Sequence, residues 1–123
     1  MASCKLGHIY IVQTVLTKPP KAKFALCVCP DNGFFLWINS DPRSHGKDQM
    51  SLDKGCHELV TKHCYLDLSR VVQHPGFELD DAKEFARISG DLAEEIMLCI
   101  DAGLFVMPPA HADIVRENIL GLL

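Results

Sequence analysis

Asn39, Ser40 and Arg43 stand where an apolar run, Phe34-Phe35-Leu36-Trp37-Ile38, gives way to a polar segment, and Lys21 and Lys23 open the apolar run before it. Ammonium and guanidinium groups beside hydroxyl and amide donors can jointly hold a phosphodiester and stabilise charge as it is cleaved. With Lys18 and Lys47 the same residues form a local basic surface suited to phosphates. Trp37 adds an indole on which a base can stack. Each feature also has a plainer reading: polar caps at a strand end, solvated loop lysines, and a core or interface tryptophan. Alternation supports the last, since it puts Phe35, Trp37 and Asn39 on one face and Phe34, Leu36 and Ile38 on the other.

Soft metal ligands occur as Cys27-x-Cys29, Cys56-His57 and His63-Cys64, but these spacings match no common zinc motif. In a strand Cys27 and Cys29 share one face, as two core residues would. No thiol carries the local signature of an activated nucleophile. Glycine-rich phosphate loops, dinucleotide fingerprints and zinc-protease helices are also missing from the sequence. The expectation is chemistry without a metal or cofactor.

These residues need a scaffold, and 123 residues with 48% hydrophobic content suit a single domain, 1–123, with one real core. The longest apolar stretches fall far short of the roughly 20 residues needed to cross a bilayer. The stretch MASCKLGHIYIV lacks the pattern of a secretory leader, so a cytoplasmic protein with six reduced thiols is expected. The net charge of −4 is uneven: residues 1–63 carry eight Lys/Arg against five Asp/Glu, and residues 64–123 carry four against eleven. This acidic balance disfavours unspecific DNA coating and leaves the basic groups concentrated in the first half.

The β-branched run from His8 to Val15 predicts a first strand after Gly7. The runs FALCVC and FFLWINS, separated by Pro30-Asp31-Asn32-Gly33, predict a hairpin over 24–40. Equal distance from the turn makes Lys23 and Ser40 cross-strand neighbours, with Arg43 reaching back from the following loop. Residues 41–57 are poor in apolar side chains and rich in turn formers, which predicts a mobile surface loop. Alternation from Tyr65 to Val71 predicts a further strand, with Glu58 to Val60 as a short partner. From Leu79 the period becomes helical, so 79–123 is expected to be the helical part. It would hold a short helix around Ala82 and Phe85, a second helix capped by Asp91 with Glu94, and a third from Ala110 to Leu120 after Pro108-Pro109. The expected class is α+β, strands first and helices last.

The order of these segments resembles the PemK/MazF-like toxins of toxin–antitoxin systems, which are ribosome-independent RNA endonucleases. GHIYIV is similar to that family's opening strand, KAKFALCV to its basic-then-apolar second strand, and LWINSDPR to the strand end bearing its active polar residues. YLDLSRVV followed by ISGDLAEEIMLCIDAGL is similar to its late strand and helix entry, so the resemblance spans residues 7–104. It implies a small antiparallel β-barrel with C-terminal helices, a homodimer, single-stranded RNA as substrate and an antitoxin protein as partner. Lys23 would stand for the family's transition-state arginine, and Asn39-Ser40 for its hydroxyl residues. Lysine keeps the charge but loses bidentate phosphate geometry, and asparagine cannot perform hydroxyl chemistry. The resemblance therefore implies a metal-independent endoribonuclease in which Lys23 and Arg43 hold the scissile phosphate, Ser40 and Asn39 orient it, His45 transfers a proton, and Lys21, Lys47 and Trp37 bind substrate. The alternative is a non-catalytic protein of the same fold that binds a protein partner through the basic loop or an exposed sheet edge.

Overall fold

The computed structural model describes residues 4–41 and 48–123. Its elements are β1 (His8–Thr14), β2 (Lys21–Cys29), β3 (Phe34–Asn39), β4 (Gln49–Leu52), β5 (Cys64–Asp67), β6 (Val72–Gln73), α1 (Gly76–Asp80), β7 (Lys83–Arg87), α2 (Gly90–Asp101) and α3 (Pro109–Leu120). The class is α+β. A seven-stranded sheet runs β4-β5-β3-β2-β1-β7, with β6 paired beside β5 on β3, and every pairing is antiparallel. Strand pairing does not close this sheet into a barrel. No helix among the described residues is long and apolar enough to cross a membrane.

The central strands are buried on both faces, so their alternation reads as continuous burial. Leu26, Val28, Leu36 and Ile38 face a core with Leu92, Ile96 and Ile100 of α2 and Ala112, Val115 and Ile119 of α3. The i, i+4 and i, i+7 spacings of those helical residues put them on one stripe of each helix. Tyr10, Val12, Ala25, Cys27, Phe35 and Trp37 form a smaller cluster on the opposite face with Val72. All six cysteines are unpaired.

The hairpin over 24–40 forms, but a single 3-10 turn at Pro30–Asn32 closes it, with only Gly33 in the left-handed region (φ 66°). Several local expectations fail. The expected loop over 41–57 contains β4, because Met50 and Leu52 alternate with exposed Ser51 and pair with Leu66 and Cys64. The expected strand to Val71 stops at Asp67, and the chain returns to β3 at Val72–Gln73. The helix expected around Ala82 and Phe85 lies earlier, at Gly76–Asp80, and 83–87 is a strand, so 79–123 is not wholly helical. Ser89, rather than Asp91, caps α2, its hydroxyl accepting from the Leu92 amide at 3.1 Å.

Glu58 to Val60 is a turn rather than a strand, closed by the Val60 amide donating to the His57 carbonyl at 2.9 Å. This turn clasps the outer edge of β7. The Ala86 amide donates to Glu58 Oε1 at 2.8 Å, and His57 Nε2 donates to the Ala86 carbonyl at 2.6 Å. Because the Leu59 amide donates to His57 Nδ1 at 3.1 Å, the proton of this ring sits on Nε2. The β4–β5 connection thereby satisfies the backbone of one residue at the far edge of the sheet, where a strand partner is missing.

Gly7 ties the start of β1 into this frame: its amide donates to the Cys27 carbonyl, and its carbonyl accepts from the Ile88 amide, both at 2.9 Å. Its φ is +82°, and a Cβ there would lie 2.7 Å from Leu122 Cδ1. The Leu122 methyl can swing aside, whereas the left-handed backbone cannot relax without losing both hydrogen bonds. Gly7→Ala is therefore expected to cost about 1–2 kcal/mol in urea unfolding, and adding Leu122→Ala should not restore it. Full restoration by the double variant would show that contact, rather than conformation, sets the cost.

Candidate functional site

The β2–β3 register decides which polar side chains meet. Near the turn Cys29 pairs with Phe34, but a bulge shifts the register by one residue, so Cys27 pairs with Phe35 and Phe24 with Ile38. Continuing that register sets Lys23 opposite Asn39 and Ala22 opposite Ser40. The expected pairing of Lys23 with Ser40 is thus off by one, and Ser40 belongs to the Ile38 face of the strand rather than to the Asn39 face.

Lys23 and Asn39 do come together. Lys23 Nζ, on a residue only 7% exposed, donates to Asn39 Oδ1 at 2.5 Å. Asn39 Nδ2 in turn donates to Asp67 Oδ2 at 3.4 Å, while Asp67 Oδ1 accepts from Gln49 Nε2 at 3.0 Å and from the Ser69 amide at 2.8 Å. A buried ammonium and a buried carboxylate are therefore joined through one carboxamide, an arrangement that polarises each bond of the chain. Lys23 Nζ also lies 5.1 Å from the Trp37 ring centroid, and Arg70 Cζ lies 5.3 Å from it. Trp37 is itself 6% exposed, so its indole offers little open face for base stacking.

The solvent-facing part of the site is a cavity of about 200 Å³ at the strand ends, lined by Lys21, Ala22, Lys23, Phe24, Ile38 and Ser40. Lys21 and Ser40 are exposed. A second cavity of about 350 Å³ adjoins it and shares Phe24, Ile38 and Ser40. Of the residues expected in the site, Lys21, Lys23 and Ser40 line the smaller cavity, Asn39 lines the larger one and with Trp37 engages the Lys23 ammonium, and Arg43, His45 and Lys47 lie outside the described residues. Among the described residues, no group of three or more His, Cys, Asp or Glu is arranged to hold a metal ion. Burial raises the Cys4, Cys56, Cys64 and Cys99 thiols and pushes Cys27 up to about 12, the opposite of what a thiolate nucleophile needs.

Sequence reasoning missed a second polar chain beneath Trp37. Trp37 Nε1 donates to His74 Nε2 at 3.1 Å, and His74 Nδ1 meets Glu78 Oε1 at 2.8 Å. An indole can only donate, so His74 Nε2 is the acceptor and Nδ1 carries the proton toward Glu78. Glu78 Oε2 accepts from the Val15 amide at 2.9 Å, fixing the end of β1. The i, i+4 spacing of His74 and Glu78 is visible in the sequence, but Pro75-Gly76 between them argues for a turn and hides it. Burial lowers the His74 pKa, against the pull of Glu78. Burial works to raise the Glu78 carboxyl, yet the Val15 amide, His74 and Thr14 outweigh it and hold it below its usual value.

Comparison of the chain with protein-family models, with curated proteins and with solved structures found no match.

A histidine whose folded pKa is depressed binds a proton more readily in the unfolded chain, so its contribution is present above its unfolded value and is lost as pH falls below it. Unfolding free energy should therefore decline as pH drops below about 6.5, the ordinary histidine value. Depression of the Glu78 pKa adds a loss in the same direction at more acidic pH. His74→Phe is expected to be less stable at neutral pH and to lose part of the slope between about pH 5 and 7. Urea titrations followed by fluorescence of Trp37, the only tryptophan, measure both effects. An unchanged slope in His74→Phe would remove His74 from this account.

Proposed function

We propose that this protein is a metal-independent endoribonuclease of the PemK/MazF-like kind, acting on single-stranded RNA in the cytoplasm as a homodimer restrained by an antitoxin protein. The observation that carries the reading is the small cavity in which exposed Lys21 and Ser40 open beside buried, amide-anchored Lys23. A phosphodiester there meets an ammonium and a hydroxyl, with a second ammonium held in position by Asn39. Attack of a ribose 2′-hydroxyl on the adjacent phosphorus forms the new O–P bond, breaks the bond to the 5′-oxygen, and moves one proton from the attacking to the leaving oxygen. The products are a cyclic phosphate and a 5′-hydroxyl end. In this reading Arg43 and His45 complete the site from the β3–β4 connection, and Lys47 extends it along the strand of RNA. The sheet is then the small barrel of that family, with the His57 and Glu58 clasp on Ala86 standing in for a final strand pair.

One observation favours a second reading, a binding module of the same fold without catalysis. Asn39 and Trp37 engage the Lys23 ammonium, and Ser40 lies on the other face of β3, so hydroxyl and ammonium do not approach from one side. A protein partner would then use the basic surface or the outer edge of β4, since the β7 edge is clasped at Ala86.

Purified protein incubated in EDTA with a long unstructured RNA, with the cut ends mapped, separates these readings. Discrete cuts ending in cyclic phosphates are expected. Intact RNA both in EDTA and with added magnesium would give the lead to the binding module. Lys21→Ala and Ser40→Ala should each slow cleavage on the order of 10²-fold with unchanged melting temperature, because both side chains are exposed. Lys23→Ala should lose cleavage and also about 1–3 kcal/mol of stability, since it strips Asn39 Oδ1 of its donor.

A further inference from the structure

The cavity of about 350 Å³ has walls from Phe24, Ile38, Ser40, Leu59, Thr61 and Lys62. Its volume lies within the roughly 300–1,000 Å³ range of small-molecule sites, and a mainly apolar lining with a few polar groups is their usual composition. Phe24 is half-buried, so part of its ring remains available to a flat partner. The Ser40 and Thr61 hydroxyls can donate or accept, and the Lys62 ammonium donates, which suits the polar edge of a heteroaromatic ring. Phe24, Ile38 and Ser40 are also walls of the smaller cavity lined by Lys21 and Lys23, so the two spaces adjoin.

We infer that the larger cavity is a nucleobase site, and that the two cavities together take one nucleotide unit, with its base against Phe24 and its phosphate at Lys21. A base and its own phosphate are covalently held a short distance apart, which matches an apolar cavity adjoining one that presents an ammonium. The same segment, residues 57–62, carries both the clasp on β7 and the far wall of the cavity. Occupation of the cavity therefore stabilises the clasped arrangement, by linkage. This inference rests on the reading of the smaller cavity as a phosphodiester site.

The probes are a 2′-deoxy dinucleoside monophosphate, which lacks the attacking hydroxyl and so cannot be cut, and its abasic analogue with the same phosphate. Chemical shifts and affinity are followed by nuclear magnetic resonance on the intact chain. The dinucleotide is expected to shift the amides of residues 59–64 and to bind at least about 10-fold tighter than the abasic analogue, in keeping with base–aromatic stacking. Thr61→Trp, which fills the cavity from an exposed position, should erase that difference. Equal binding of both probes, with shifts confined to residues 21–24, would overturn the base site and leave the phosphate reading standing. Binding of neither probe would overturn the base site as well. Tight dinucleotide binding by a protein that leaves RNA intact would uphold the base site while removing the cleavage reading.

Discussion

The Asn39 carboxamide accepts from a buried ammonium with one end and donates to a buried carboxylate with the other, and the rest of the sheet is built to keep it there. Removing Lys23 would leave Asn39 Oδ1 without its ammonium donor, and removing Asp67 would strip Asn39 Nδ2, Gln49 Nε2 and the Ser69 amide of a common acceptor. Because side chains alternate along a strand, a slip of one residue between β2 and β3 would send Lys23 and Asn39 to opposite faces. The polar chain therefore acts with the apolar core as a register lock. It joins β2, β3, β4 and β5 through Lys23, Asn39, Gln49 and Asp67.

A second chain performs the same service for the other half of that face. Trp37, His74 and Glu78 connect β3 to α1 and, through the Val15 amide, to the end of β1. The contact of the Lys23 ammonium with the Trp37 ring, 5.1 Å from its centroid, couples the two chains without a direct hydrogen bond. His57 and His74 are held as opposite tautomers, each because an obligate donor faces one ring nitrogen: a backbone amide for His57 and an indole for His74. Histidines fixed this way serve as neutral connectors, each taking one hydrogen bond and giving another.

Strong local patterns were legible in the sequence, and features set by distant partners were not. The hairpin, β1 and both long helices follow from β-branched runs, turn residues and apolar stripes that need no tertiary context. β7 escaped because KEFAR is largely exposed and lacks an alternating apolar face; its identity comes from pairing with β1 and from the His57 and Glu58 clasp. β4 escaped because only Met50 and Leu52 mark it amid turn formers. Proximity of Lys21, Lys23, Asn39 and Ser40 was also legible, since a short turn between two strands brings their far ends together. The cross-strand partner of Ser40 was not, because the bulge between Cys27 and Cys29 leaves no turn residue to announce it.

That one bulge has a consequence for chemistry. Without it, Lys23 would lie opposite Ser40, and ammonium and hydroxyl would share a face; with it, Lys23 faces Asn39, and the face shared by Ile38 and Ser40 meets Phe24 instead. The shift exchanges a cross-strand lysine–serine pair for a buried lysine–amide pair, so charge is placed and oriented at the expense of direct contact with solvent. The serine, in turn, gains a position between two cavities rather than beside one cation. Polar groups around the strand end are thus divided by burial: Lys23 and Asn39 are committed to holding the sheet, whereas Lys21 and Ser40 are exposed. In this arrangement Lys23 acts as a fixed positive charge behind the cavity, and the groups that can adjust to a bound anion are the exposed ones in front of it.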